Sequence, residues 1–158
     1  MYTYRLLDGS SKEFQDQING IELAKSISPS LLKKTIAVKV NGSVTDLTDN
    51  LPNNANIEFV TREHPDSLDL IRHDCAHVLA EAVQNLFPET QVTIGPVIDN
   101  GFYYDFYREE SFKPEDFIKI EKKMHEIIAQ NAKFEKKVVT RDEAIKIFQE
   151  KKEEYKVE

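Results

Sequence analysis

Apolar positions along this chain alternate at first and then recur at helical spacing, and the change of period divides it. Tyr2 to Leu7 reads as a strand, Asp8-Gly9 as a tight turn, and Lys12 to Phe14 as the returning strand. A short helix comes next over Glu22 to Ile27, stopped by Ser28-Pro29. Ile36 to Val40 carries β-branched residues at alternate positions, Asn41-Gly42 is a strong hairpin signal, and Ser43 to Leu47 returns. Ile57 to Val60 is a last strand. The order ββαβββ predicts a sheet with one helix laid across it. A unit of about 60 residues is marginal by itself, so it is expected to lean on the rest of the chain.

Thr61 to Pro65 reads as a short hinge, after which the period becomes helical. From Ser67 to Leu86 the stripe is Leu68, Ile71, Cys75, Leu79, Ala82 and Leu86, ended by Phe87-Pro88. At about 100° per residue, His73 and His77 fall almost opposite that stripe, with Ala76 and Ala80 beside them. The predicted helix packs its back into a core and turns two imidazoles toward an open space bordered by small side chains. Their i, i+4 spacing lets both rings reach one small target.

Val92 to Val97 predicts a strand, Asp99-Asn100-Gly101 a turn, and Phe102 to Tyr107 the next strand. Pro114-Glu115-Asp116 opens a second helix, with proline and acids in the first turn and a stripe of Phe117, Ile120, Met124, Ile127 and Ile128. Phe134 to Val139 reads as a strand. Thr140-Arg141-Asp142-Glu143 is a capping box that starts a third helix, running to about Lys152. Tyr155-Lys156-Val157-Glu158 reads as the start of a further strand.

Composition narrows the function classes. The 158 residues suit one medium domain or two small ones, and 40% hydrophobic with 31% charged is an ordinary globular balance. No apolar run approaches membrane-spanning length, and the N-terminus lacks the basic and apolar regions of a secretory signal. One cysteine, Cys75, excludes an internal disulfide, fits a reducing cytosol, and leaves a cysteine-based zinc site incomplete within this chain. The net charge of -7 excludes a basic nucleic-acid grip, so any RNA contact is local. Lys33-Lys34 and Lys136-Lys137 are the candidate spots, although such pairs are more often plain solvated surface. With 5 glycines and no glycine-rich phosphate loop, nucleotide binding is not expected.

The histidine pair admits several readings. His73-Asp74-x-x-His77 is similar to the zinc-protease helix H-E-x-x-H, but aspartate shortens the general base by a methylene and no third ligand stands downstream at a suitable spacing. A pair on the polar face also suits solvated surface. His64 in the hinge and His125 on the second helix's polar side read as solvated residues. Cys75, on the packed stripe, reads as a small apolar residue. Tyr103 and Tyr104 point to opposite sides of their strand, so one can face the histidines, although packing explains both equally well. Lys156 by itself passes as a surface lysine.

The combination is more specific than its parts. A ββαβββ unit, then a His-x-x-x-His helix, then the run from Gly95 to Asp105 (GPVIDNGFYYD) resembles the amino-terminal half of the bacterial threonyl-tRNA synthetases. Residues 1–61 look like a TGS domain, a ubiquitin-like β-grasp, matching at Asp8-Gly9, at the helix end from Ala24 to Leu31 and at Val40-Asn41-Gly42. Residues 62–158 look like the first part of an α+β editing domain shared in outline with alanyl-tRNA synthetase. The fold class implied is α+β, incomplete at its C-terminus.

In that family a Cys-x-x-x-His motif further along completes the editing pocket, and this chain is expected to stop before it and before the catalytic and anticodon-binding domains. The resemblance implies hydrolysis of seryl-tRNA(Thr) by the parent enzyme. Serine lacks one methyl group of threonine, which is worth only about 1–3 kcal/mol in selection, so a second, hydrolytic site is required. His73 would position or deprotonate water, and His77 would hold the terminal adenosine or the seryl group. Tyr104 would contact substrate, and Lys156 would stabilise developing negative charge. The implied partner is the acceptor end of tRNA(Thr), in the cytoplasm and away from membranes, in a parent that dimerises through its catalytic core. ATP, magnesium and zinc would belong to that core and no metal to this chain, which is expected to be nearly inactive itself. Two other readings stay open: a non-catalytic TGS-type module that binds RNA or protein, and a free-standing deacylase. A Cys-x-x-x-His downstream would favour the synthetase.

Overall fold

The computed structural model describes residues 1–132, 135–151 and 153, in two compact units, Met1–Leu70 and Ile71–Glu158. In the first unit, β1 (Tyr2–Leu6) pairs antiparallel with β2 (Ser11–Phe14) around the Asp8-Gly9 turn, where the Gly9 amide donates to the Leu6 carbonyl at 3.0 Å. Helix α1 (Gly20–Ile27) starts at Asn19, whose side chain accepts from the Glu22 amide while the Glu22 carboxylate accepts from the Asn19 amide, both at 3.0 Å.

Ser28 does more than end α1. Its amide donates to the Ala24 carbonyl, and its hydroxyl accepts from the Leu31 amide at 3.0 Å, so it also caps a second helix, α2 (Pro29–Lys34). Pro29 is therefore a first-turn proline that opens a helix rather than a stop, and the order is ββααβββ.

Strands β3 (Thr35–Val40) and β4 (Ser43–Thr45) meet at Asn41-Gly42, both at positive φ (51° and 89°), the backbone a two-residue hairpin of this hand requires. β5 (Ala55–Thr61) lies between β1 and β3, parallel to the first and antiparallel to the second, giving the sheet order β2-β1-β5-β3-β4. This is a β-grasp arrangement. Tyr4, Leu23, Val38, Leu51 and Ile57 form its buried core. The Tyr4 hydroxyl, buried with its ring, donates to the Leu51 carbonyl and accepts from the Ile18 amide. Both hydrogen bonds offset the cost of burying a polar atom.

Residues 62–66, most of the expected hinge, form a turn braced within the first unit. The Arg62 amide donates to Lys34, the His64 amide to Thr61 and the Ser67 amide to His64, while the Ser67 hydroxyl donates to the Arg62 carbonyl at 2.8 Å. His64 is 16% exposed, not solvated. Its Nδ1 accepts from the Asp66 amide at 3.1 Å, so Nε2 carries the hydrogen and donates to Glu58 Oε1 at 3.0 Å. Asp66 also pairs with Lys39. Each hydrogen-bonded or paired side chain draws the turn onto β5 or β3.

Helix α3 runs Ser67–Leu86, the expected span. In the second unit its buried residues are Ala76, Ala80, Ala82 and Val83, and with Ile120 the last two form a core flanked by Leu79, Leu86, Phe106 and Met124. The expected stripe is therefore rotated: Leu68 and Ile71 are half exposed, and the two alanines beside the histidines lie on the packed side. Small side chains at these positions serve close packing of the helix rather than ligand approach.

The two long strands expected over 92–97 and 102–107 are four short ones: β6 (Gln91–Val92), β7 (Val97–Ile98), β8 (Gly101–Phe102) and β9 (Phe106–Tyr107). β6 pairs with β9 and β7 with β8, in one interrupted hairpin. Between the ladders Thr93–Pro96 faces Tyr103–Asp105, so the first arm carries one residue more, a bulge. The Asp105 amide still donates to the Ile94 carbonyl at 2.9 Å across it.

Helix α4 (Pro114–Gln130) begins with Pro114 and the Asp116 carboxylate accepting from the Lys113 amide, and ends at Asn131 in the left-handed region. Ile120 of its stripe is buried, whereas Phe117 and Ile128 are exposed. The strand expected over 134–139 is not formed at 135–139, and residue 134 lies outside the described residues. Helix α5 (Arg141–Glu150) starts at the predicted box, with Thr140 and Glu143 capping each other.

Candidate functional site

His73 and His77 sit on successive turns of α3, both exposed, as the helical period requires. Their Nε2 atoms are 3.0 Å apart, and the rings meet edge to face with centroids 4.6 Å apart. Such a contact needs one Nε2–H and one bare Nε2. The pair is thus held by one bridging hydrogen, with donor and acceptor set by the tautomers, and two groups able to exchange protons stand side by side at the surface. Among the described residues, no three His, Cys, Asp or Glu side chains converge in a way that could hold a metal ion.

Arg72, the residue before His73, reaches the hairpin. Its guanidinium donates to the carbonyls of Asp99 at 3.0 Å and Ile98 at 3.4 Å.

Tyr104 comes from the far arm of that hairpin. Its ring covers Gly95, where a β-carbon would overlap the ring atoms, and stacks on Phe106 with centroids 4.8 Å apart and planes at 19°. Burial along this arm alternates: Phe102, Tyr104 and Phe106 are half-buried, and Tyr103, Asp105 and Tyr107 are exposed. Tyr104 is thus the inward member of the expected pair. Burial pushes its phenol above the ordinary tyrosine value, and the Glu153 charge pushes it the same way. Glu153 in turn accepts from the Gln84 amide of α3.

An apolar groove of about 640 Å³ opens beside Tyr104, lined also by Leu79, Phe106, Phe112 and Met124, with Glu121 at its edge. Neither histidine lines it. The structure brings His73 and His77 together and places Tyr104 against Gly95, Phe106 and the groove. Lys156 lies outside the described residues. His125 is exposed on α4. Cys75 is half-buried.

Sequence reasoning missed Arg72, Glu153 and Arg108. Arg108 lies over the Phe87 ring at 4.2 Å and near the Phe112 ring at 5.1 Å. Charged side chains give no periodic signal, and the partners of these three are set by tertiary structure.

The TGS domain family model matches residues 1–61. The chain is 58% identical to the threonine–tRNA ligase of Rhodopseudomonas palustris over 151 residues, which cover 96% of this chain and 23% of that enzyme. It is 59% identical to the threonine–tRNA ligase of Bartonella quintana and 57% identical to that of Brucella suis, with the same coverage. The chain spans 23% of the length of the curated relatives it matches. No helix among the described residues is long and apolar enough to cross a membrane.

Proposed function

We propose that this chain, with a TGS domain match at residues 1–61 and 58% identity to a threonine–tRNA ligase over 151 residues, is part of an enzyme that joins threonine to its tRNA, and that its second unit contributes to hydrolysis of seryl-tRNA(Thr). The observation that carries this reading is the His73–His77 contact. Hydrolysis of an aminoacyl ester needs a base for the attacking water and a donor for developing charge. Two imidazoles on one helix face can supply both functions to a water that replaces the contact between them.

In this reading His73 takes a proton from water, which attacks the ester carbonyl, and His77 holds the seryl group or the terminal adenosine. Lys156 places a positive charge near the oxyanion. Tyr104, ring-locked on Gly95, supports the substrate from the hairpin. Collapse of the tetrahedral species returns a proton to the departing ribose hydroxyl and releases serine. The partner is the acceptor end of tRNA(Thr), in the cytoplasm. ATP, magnesium and zinc act in other parts of the longer enzyme, which dimerises there. Stoichiometric zinc retained by this chain after dialysis, and lost in His73→Ala, would contradict that division.

The test uses the longer synthetase. His73→Ala and Lys156→Ala should each slow seryl-tRNA(Thr) deacylation while leaving threonine-dependent ATP–pyrophosphate exchange intact. The 158-residue chain is expected to be nearly inactive by itself, since misplacement by about 1 Å costs on the order of a hundredfold. Deacylation that survives both substitutions removes the editing assignment from this surface.

A further inference from the structure

We propose that Arg72 is a positioning residue of this site: it pins the tip of the hairpin to the histidine-bearing turn of α3 and so fixes where Tyr104 stands relative to the pair. The inference rests on the editing reading above and assigns that site a residue that touches no substrate.

The hairpin is held at two places. Its base is held by apolar packing, because Phe106 lies against the core that contains Ala82 and Val83. Its tip is held by Arg72, through the carbonyls of Ile98 and Asp99. Along α3, Arg72 and Ala82 are about 15 Å apart at 1.5 Å per residue, with His73 and His77 between them. Tyr104, two residues from Phe106, lines the same groove as Leu79 of α3.

The bulge between Thr93–Pro96 and Tyr103–Asp105 lies between the base pairing and the tip pairing, and the Thr93, Asp105 and Tyr103 amides cross it to the Asp105, Ile94 and Pro96 carbonyls. Packing at Phe106 lies on the base side of the bulge and Arg72 on the tip side, so Arg72 holds the end that the core does not reach. A guanidinium suits the task. Its Nη1 donates charge-assisted hydrogen bonds to two successive carbonyls.

Two measurements test this. In the longer synthetase, Arg72→Ala should lower kcat for seryl-tRNA(Thr) deacylation by about tenfold or more while KM stays within about twofold, because misplacement acts on the reacting geometry. Arg72→Lys and Arg72→Gln should each recover part of the loss. Threonine-dependent ATP–pyrophosphate exchange should not change. In the 158-residue chain, amide exchange at Asn100, Gly101 and Phe102 should accelerate in Arg72→Ala, with Val92 and Tyr107 unchanged. A kcat for Arg72→Ala within twofold of wild type overturns the proposal, whatever the exchange shows. Loss of exchange protection at base and tip alike makes Arg72 a general stability residue and also overturns it. If the wild-type enzyme fails to deacylate, the editing reading falls and this role with it, and accelerated tip exchange would then report only that the anchor exists.

Discussion

The ring of Tyr104 occupies the space in which a β-carbon on residue 95 would stand, so Gly95 and Tyr104 form one unit across the hairpin. No side chain at 95 can coexist with the ring in this position. Gly95→Ala should therefore destabilise the second unit by about 1–3 kcal/mol, the usual range for overpacking. Tyr104→Ala in that background should recover part of the loss. Denaturant unfolding of the two single variants and the double variant would show non-additivity if the contact is as described. Additive losses would show that the two residues act independently.

The phenol of Tyr104 should titrate late in a spectrophotometric titration. Burial raises it first and the Glu153 charge second, so the folded protein holds this proton above the ordinary tyrosine range. Native stability accordingly falls as pH rises past that range, because the unfolded chain gives up the proton more easily. Tyr104→Phe should remove the late phase from the tyrosinate absorbance change. Glu153→Gln should bring that phase down only in part, because the larger cause remains.

The braced turn predicts a measurable cost for His64→Ala. Two hydrogen bonds are lost, and at about 0.5–1.5 kcal/mol each the first unit should weaken by about 1–3 kcal/mol. His64→Gln, which can still donate to Glu58, should cost less. Thermal unfolding of the chain would rank the three proteins, and an unchanged midpoint for His64→Ala would mean that the turn is not braced by its side chain.

Acid should weaken the same turn through Asp66. The Lys39 ammonium holds the Asp66 carboxyl below its ordinary value, first by hydrogen bonding and then by charge, and the His64 side chain adds to the effect. A depressed carboxylate contributes stability above its unfolded value and loses it as pH falls through the folded value. Lys39 is raised in return, chiefly by its hydrogen bond to Asp66, so its share persists until pH rises through its folded value. Asp66→Asn should flatten the acid limb of a stability–pH curve while leaving the neutral plateau lower. A parallel downward shift at every pH would rule out the ionic origin.

The elements that sequence reasoning locates well are those with local causes. Helix α3 is legible from end to end, because periodicity from Leu68 to Leu86 and the stop at Pro88 are written in adjacent residues. The Asn41-Gly42 hairpin and the Thr140–Glu143 box are legible for the same reason. Helix α2 is hidden because Pro29 signals equally an ending and a beginning, and only the Ser28 hydroxyl on the Leu31 amide decides between them. His64 reads as solvated because the carboxylate it meets, Glu58, stands on β5 and is brought to it by the fold. The interrupted hairpin has its cause out of sight as well: Gly95 is small for the sake of a ring nine residues on. Of the candidate site, the face of the helix carrying His73 and His77 can be read from spacing, and the hydrogen bond between them cannot. The inward direction of Tyr104 comes from alternation once the strand is in place.

One consequence of the bulge concerns chain length rather than residue identity. The two arms of the hairpin differ by a single residue between their ladders, and the difference is absorbed at Thr93–Pro96. A deletion there would bring the ladders into one continuous register, and every side chain on one arm beyond the repair would exchange its inner for its outer face. The tip would then present different carbonyls to Arg72, or the base a different ring to Val83. Outside Gly95, conservative substitutions in this segment can be tolerated one at a time, but its count of residues works like the tooth number of a gear, where one fewer does not weaken the mesh by a fraction but puts all of it out of phase.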